Sequence, residues 1–253
     1  MKQITSYLTL ILTSFLLITA CKKADFAESL QQEEIAGAAA NSRKPGSIPR
    51  IKTRTQGTET ITFTYDAKGR LISQESSINN DEILAYSGKT SVTTKLYNPS
   101  GVQVSQSLYT LNSDGLATSA STSTMDMVFT YNAAKQKMSQ EMTYPNGDIF
   151  LLSNVYVNGD LEQTESYHDG TVQWWREYTY YTDKPNTLNN EAYGKKFLGA
   201  ESQHLLKSMI HVDKTFTMSK EDYVYEFDAD SRVIKIKVMK DGVVKPDIIF
   251  TYY

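Results

Sequence analysis

The chain has 253 residues, a formal net charge of -3 at pH 7, 17 tyrosines and a single cysteine. So small a charge does not favour binding to nucleic acid or to acidic lipid surfaces. With Cys21 as the only cysteine, the chain has no disulfide within it, so its fold must rest on packing and backbone hydrogen bonds. The abundance of tyrosine favours β-strands, because aromatic side chains fit a pleated, half-buried surface.

Residues 1–20 have the pattern of an export signal. Lys2 gives a positive start, an apolar stretch follows, and the segment ends in Ile18-Thr19-Ala20-Cys21. This ending resembles the lipoprotein-processing motif, which implies cleavage before Cys21 and acylation of its sulfur. The apolar run is short and polar for an uncleaved membrane helix. We therefore expect a lipid-anchored protein of the cell envelope, at the outer membrane, facing the periplasm or the cell surface.

Residues 21–49 form the second predicted segment, a tether behind the lipidated cysteine. The stretch is polar, rich in alanine and poor in aromatic residues. Such a composition buries too little apolar area to fix a fold, so we expect a flexible linker, with a frayed helix as the alternative around residues 24–40.

From Ile51 onward, short runs alternate between apolar and polar residues. In the run from Thr60 to Tyr65, Ile61, Phe63 and Tyr65 share one face and threonines share the other. This period of two predicts half-buried strands. The same alternation recurs around Met127, Tyr225 and Ile236.

The turns between these runs carry hairpin chemistry. One set has Asx first and glycine fourth, as in Asp66-Ala67-Lys68-Gly69, which suits a type I turn followed by a left-handed residue. A second set suits two-residue hairpins: Asn146-Gly147, Asn158-Gly159, Asp169-Gly170 and Asp241-Gly242.

The segment FTYDAKGRLISQ at Phe63–Gln74 resembles the tyrosine-aspartate (YD, or RHS) repeat, and YEFDADSRVIKI at Tyr225–Ile236 resembles a degenerate copy. Looser copies begin at Leu96 and Phe129. Lys135 and Ser231 stand where the repeat has glycine, so we expect distorted turns there. The resemblance implies a YD-repeat-like domain of the kind found in uncharacterised Bacteroidota-type envelope lipoproteins.

These patterns predict an all-β domain over residues 50–253. We expect an up-and-down antiparallel meander of about a dozen strands, too many for one flat sheet and therefore curled into a half-open barrel. Residues 182–214 break the alternation, with a short helix expected at Glu201–Ile210. This insertion is either a plug over the concave face or a functional loop, and its apolar residues favour the plug.

The chain offers few residues for catalysis or metal binding. His204 and His211 would lie two turns apart on a helix, too far for one zinc ion, and His168 is interpreted as a turn residue. Asp228 and Asp230 suit turn capping better than calcium binding. The serine- and threonine-rich stretch 118–124 has no neighbouring base. We therefore expect no metal, no cofactor and no catalytic residues.

The aromatic run at 174–181 is the strongest functional candidate. Rings with polar tips are typical of surfaces that bind proteins or sugars, so the candidate ligand surface comprises Trp174, Trp175, Arg176, Tyr178, Tyr180 and Tyr181. Packing against the insertion is the alternative. The predicted function is a non-catalytic binding or scaffolding module for a protein or glycan partner. The alternative is a hydrolase or a lipid- or glycan-handling protein that uses the concave face.

Overall fold

The computed structural model describes residues 49–253, and its secondary structure is almost entirely β-strand. One 3-10 helix spans Lys196–Leu198. The strands are β1 (Ile51–Gln56), β2 (Glu59–Tyr65), β3 (Leu71–Ser76), β4 (Asp81–Ser87), β5 (Ser91–Tyr97), β6 (Gln103–Leu111), β7 (Ala117–Ser121), β8 (Asp126–Tyr131), β9 (Lys137–Thr143), β10 (Ile149–Val157), β11 (Asp160–His168), β12 (Thr171–Pro185), β13 (His204–Asp213), β14 (Met218–Phe227), β15 (Val233–Lys240), β16 (Val243–Val244) and β17 (Ile248–Tyr252).

Each strand from β1 to β16 pairs antiparallel with a neighbour in sequence, and β17 pairs with β15 and β1, so the sheet closes on itself. β1 pairs with β2 on one side and with β17 on the other, with Thr53 opposite Thr251. The short β16 and the start of β17 both lie beside β15, so together they fill one position. The seventeen strands of the sheet therefore occupy sixteen positions around a closed barrel.

The predicted all-β antiparallel meander is confirmed, but the half-open sheet of about a dozen strands is wrong. Alternation along a strand shows which side chains are buried, and it carries no signal for pairing between the first strand and the last. Closure depends on that pairing, which joins residues 198 apart, as in the Thr53–Thr251 hydroxyl contact.

The Asx turns form as predicted. The Asp66 carboxylate accepts the backbone N–H groups of Lys68 and Arg70, each at 2.9 Å. The predicted distortion at Lys135 and Ser231 is wrong. Both residues adopt the left-handed φ, 64° and 60°, that Gly69 adopts at 71° in the same turn. The carboxamide or carboxylate that opens each turn holds this geometry even where the fourth residue has a side chain.

Successive connections lie at alternate ends of an up-and-down barrel. The insertion between β12 and β13 lies at one end, together with the Asx turn at 66–70, and we call this the insertion end. The connections at 144–148, 169–170 and 214–217 lie at the opposite end. Most fully buried residues belong to the half of the barrel nearer the insertion end; they include Ile51, Phe63, Leu71, Val92 and Val233.

The insertion is shorter than predicted and closes the insertion end. It runs from Asn186 to Gln203, and the helix expected at 201–210 is wrong, because His204–Asp213 pairs with β12 and β14 as a strand. Ala192 and Phe197 are 0% and 4% exposed within the core. The plug interpretation is confirmed.

The outer face of β14 and β15 carries charged residues. Lys235 and Lys237 on β15 lie 2.9 and 3.2 Å from the Glu226 carboxylate on β14, and Lys220 pairs with Asp222. Residues 49–253 contain no helix long and apolar enough to cross a membrane.

Candidate ligand-binding cavity

A partly open cavity of about 470 Å³ lies between the insertion and the wall formed by β9–β14. The wall contributes aromatic and polar side chains, and the insertion contributes Asn186, Leu188, Asn190, Leu198, Glu201 and Ser202. The volume lies within the range of about 300 to 1,000 Å³ of small-molecule sites. The insertion therefore both closes the barrel and forms one side of this cavity.

Tyrosines from three alternate strands line the wall of the cavity. Tyr156 lies on β10, Tyr178 and Tyr180 lie on β12, and Tyr225 lies on β14. They share the cavity because β10 to β14 are consecutive in the wall and these positions face inward. Burial raises the pKa of the Tyr156 hydroxyl to about 12, so the group stays neutral and able to donate.

Hydrogen bonds fix several of these side chains. The Ser202 hydroxyl donates to the Tyr180 oxygen at 2.9 Å and accepts the Leu161 N–H at 3.0 Å, which ties the insertion to the wall. The Tyr178 hydroxyl donates to Thr164 at 3.3 Å. Within the described residues, Tyr156 makes no side-chain hydrogen bond to the protein, so its hydroxyl is available to a ligand.

Two charged groups face the cavity. The side chain of Glu201 is exposed to water at the cavity. It also projects into the barrel interior, where nearby protein partly desolvates it. Desolvation raises the pKa of its carboxyl, and the backbone N–H of Asn190 and the charge of Lys137 oppose this effect only in part. Desolvation lowers the pKa of Lys137, whose ammonium group donates to Gln140 at 3.0 Å.

The structure divides the predicted ligand surface between different places. Tyr178 and Tyr180 line the cavity. Trp174 and Arg176 also face the interior, with the guanidinium group 4.6 Å from the Trp174 ring. Trp175 lies on the outer face, 6.1 Å from the Phe216 ring.

Tyr181 lies at a separation between two strands. β13 and β14 are paired only from Ser208 to Val212. On the N-terminal side of Ser208 the two strands separate, and there the Tyr181 hydroxyl donates to the Tyr223 carbonyl at 2.9 Å. Tyr225 donates to the Leu206 carbonyl at 2.8 Å in the same region. These side chains bridge the separated strands, so Tyr181 does not share the cavity surface of Tyr178 and Tyr180.

The histidines and the Asp228 turn lie in separate places. His204 contacts the Asp160 carboxylate at 2.7 Å, and His211 accepts a hydrogen bond from Arg176 at 3.3 Å. Asp228 accepts the backbone N–H groups of Asp230 and Arg232, which confirms the turn-capping prediction. Cys21, with the signal and most of the tether, lies outside the described residues.

Sequence reasoning missed Tyr156, Lys137, Asn154 and Glu201 as cavity residues. Each belongs to a different segment, and only the closed wall and the insertion bring them together. The alternation of β10 could have placed Tyr156 on an inner face. Nothing in the sequence around Glu201 distinguishes it from a surface glutamate.

A second cleft, of about 410 Å³, lies at the insertion end and has basic residues in its lining. The Arg70 guanidinium lies 2.6 Å from Asp66 and 4.2 Å from the Tyr86 ring. Lys196 pairs with Glu191, whose backbone carbonyl accepts a hydrogen bond from Arg50. Arg70 therefore stabilises the 66–70 turn, and Arg50 and Lys196 stabilise the insertion. Because these cations already have partners within the protein, the first cavity is the better candidate site.

Comparisons with known proteins give the fold of this chain. No family model matches, and no curated protein matches. A porin-like protein from Bacteroides uniformis is similar over 80% of this chain and 95% of its own, with a TM-score of 0.59 and 17% identity. A porin-like protein from Bacteroides vulgatus is similar over 81% of this chain and 99% of its own, with a TM-score of 0.55 and 13% identity. At these identities the likeness establishes a shared barrel fold, and the YD-repeat resemblance stays a prediction.

Proposed function

We propose that this protein is a non-catalytic, lipid-anchored binding module of the cell envelope, and that the cavity between the insertion and the β9–β14 wall takes a glycan fragment. The cavity itself carries the proposal, because it combines tyrosine rings with amide, hydroxyl and carboxyl groups. Sugars stack on aromatic rings and hydrogen-bond through their hydroxyls to such groups.

Three features of the cavity favour a polar ligand over a lipid. The Tyr156 hydroxyl, the Glu201 carboxyl and the Lys137 ammonium group all reach it. Covering them with an acyl chain would leave the Tyr156 hydroxyl without a hydrogen-bond partner, which costs about 1 to 3 kcal/mol, and would remove water from the two charged groups. A sugar hydroxyl can satisfy them.

The lining supports binding over glycoside hydrolysis. Glu201 is the one carboxylate among the described residues that line the cavity, and most glycosidases use a pair of carboxyl groups on either side of the scissile bond. A hydrolase that uses the concave face of the barrel is the second candidate, because the insertion covers a cavity there.

The envelope location rests on the export signal and on the porin-like fold. The charged side chains on the outer face of β14 and β15 support a barrel held beside the bilayer, because a charged side chain on the lipid face costs about 2 to 4 kcal/mol near the midplane. We infer that anchoring comes from acylated Cys21. A Cys21→Ser variant should lose the acyl label and stay unprocessed or become soluble, and unchanged processing would refute the anchor.

The ligand proposal is tested with the purified mature chain on a glycan array, followed by calorimetry with the best-bound glycan. Tyr156→Ala and Glu201→Gln should each weaken binding by at least about tenfold, since each removes about 1.4 kcal/mol or more of contact energy. Phe216→Ala, on the outer face and 76% exposed, is the matched control and should bind as the parent does.

Two results would refute the proposal. One is the absence of glycan binding by the parent chain, and the other is an equal loss of affinity in Phe216→Ala. Circular dichroism and thermal unfolding of each variant separate a lost contact from a lost fold.

A further inference from the structure

At the end of the barrel opposite the insertion, three side chains with metal-ligating atoms come together. Asp148 ends the β9–β10 connection, His168 ends β11, and Asp169 begins the two-residue turn into β12. One ligand atom from each lies within 4.8 Å of the other two. These residues are separate from the cavity described above.

The imidazole of His168 is aimed at both carboxylates. Its Nε2 lies 3.4 Å from the Asp169 Oδ2 and 3.8 Å from the Asp148 Oδ2. The ring stacks on Phe150, with 4.2 Å between centroids and 6° between planes, so its orientation is fixed. Phe150 in turn packs edge-on against Tyr144.

The same nitrogen is solvent-excluded and has no hydrogen-bond partner among the described residues. Burying a polar atom without a partner costs about 1 to 3 kcal/mol. A cation between the nitrogen and the two oxygens removes that cost, and it also offsets the repulsion between the carboxylates. The unpartnered His168 nitrogen therefore indicates a ligand independently of the closeness of Asp148 and Asp169.

The remaining hydrogen bonds orient the two carboxylates. Asp169 accepts the backbone N–H of Ile149 at 3.0 Å through Oδ1, which leaves Oδ2 facing the histidine. The Asn146 carboxamide donates to the Asp148 Oδ2 at 2.8 Å. Such outer hydrogen bonds are typical of metal sites, where they hold ligands in position.

We propose that His168, Asp148 and Asp169 bind a divalent transition-metal ion, with Zn²⁺ as the best fit. Zinc takes imidazole nitrogen and carboxylate oxygen at about 2.0 to 2.2 Å, and tetrahedral geometry then places ligand atoms roughly 3.3 to 3.5 Å apart. The two histidine distances are close to that spacing, and the two carboxylate ligand atoms lie within 4.8 Å of each other. Three protein ligands leave one coordination position for water or for a group on a partner.

A bound ion would link two neighbouring loops at this end of the barrel. Asp148 comes from the 144–148 connection, Asp169 from the 169–170 connection and His168 from the end of β11, and these two connections flank the hairpin of β10 and β11. The ion therefore acts as a crosslink between the loops and as an exposed coordination site at the barrel opening.

The test is calorimetry of the metal-free mature chain with Zn²⁺, and with Mg²⁺ and Ca²⁺ for comparison. We expect one zinc equivalent, with the two oxygen-preferring ions binding at least about tenfold more weakly. His168→Ala should weaken zinc binding at least about tenfold. His211→Ala removes an imidazole elsewhere in the barrel interior and is the matched control, expected to bind zinc as the parent does.

Asp169→Asn keeps the turn, because asparagine tolerates the positive φ of 46° and retains the acceptor for Ile149. It should also weaken zinc binding, which tests the site without risk to the fold. Imidazole nitrogen NMR should show the His168 Nε2 resonance shifting on zinc addition. No heat and no shift at saturating zinc, or an equal loss of affinity in His211→Ala, would overturn the proposal. None of these results depends on whether a glycan binds in the cavity.

Discussion

The two ends of the barrel are built from different kinds of residues. At the insertion end, Phe197 is 4% exposed and packs against Tyr86 and Tyr109, with ring centroids 6.3 and 5.2 Å away. At the opposite end, Phe216 and Met218 are 76% and 65% exposed. A barrel with sixteen strand positions is too wide for wall side chains to fill it. The comparison shows that the core forms where a non-repeating segment enters the barrel.

The largest expected difference is between two phenylalanines. Phe197→Ala should lower the free energy of unfolding by about 3 to 5 kcal/mol, because it leaves a cavity in the packed end. Phe216→Ala at the opposite end should change it by less than about 0.5 kcal/mol. Urea denaturation measures both. Equal losses would mean that the insertion does not hold the core together.

Glycine substitutions separate close packing from backbone strain. A Cβ on Gly194 would lie 2.6 Å from the backbone nitrogen of Leu71, and the residue has a φ of +70°. Gly194→Ala should therefore cost about 3 kcal/mol of stability. Gly115, with a φ of +77° and no atom within 4 Å of such a Cβ, is the control. Gly115→Ala should cost about 1 to 2 kcal/mol, and a cost as large as that of Gly194→Ala would contradict close seating of the insertion.

Two carboxyl groups should give opposite pH dependences. Desolvation raises the pKa of Glu201 above 4.5, so the folded state holds this proton more tightly and the free energy of unfolding falls as pH rises through the raised value. For Asp66, burial acts to raise the pKa, but hydrogen bonds from Arg70 outweigh it and hold the pKa below 3.8. The stabilisation from Asp66 is present above 3.8 and is lost as pH falls below it.

Unfolding of Glu201→Gln and Asp66→Asn across about pH 3 to 8 tests these signs. Glu201→Gln should remove the decline above pH 4.5, and Asp66→Asn should reduce the loss of stability in acid while keeping the turn acceptor. Unchanged profiles would show that the folded protein does not perturb these two groups.

The smallest expected effect concerns the turns themselves. Ser231 has a φ of 60° in a turn whose counterparts carry glycine at positions 69, 101 and 115. Ser231→Gly should raise the free energy of unfolding by roughly 0.5 to 1 kcal/mol, because removal of left-handed strain exceeds the entropy that glycine adds to the unfolded chain. A decrease in thermal stability would indicate that the serine side chain contributes contacts of its own.

The sequence predicted what local chemistry controls. Alternation placed Phe63 inside, and the Asx and glycine spacing predicted the turns, because both signals act within a few residues. The helix at 201–210 was wrong because Leu205, Leu206 and Met209 have helical spacing, while pairing with β12 and β14 decides their conformation. Long-range strand pairing overrode a local pattern.

The candidate site was harder to predict than the fold. Trp174 and Trp175 are adjacent in sequence, and the strand sends them to opposite faces of the wall. Glu201 and Tyr156 are far apart in sequence and meet only because the insertion folds into the barrel. A ligand site made from several segments leaves no local trace in the sequence.

Barrel closure between β1 and β17 also has a consequence for how the protein is made. Apart from the contact of β15 with β17, all other strand pairs of the described residues form between neighbours in sequence, so hairpins can assemble locally as the chain folds. The edge of β1 stays unpaired until β17 (Ile248–Tyr252) pairs with it. Until then the wall has two unpaired edges that can join another chain. Strand β17 therefore protects the folding chain from aggregation, and a premature stop codon just before β17 would expose both edges.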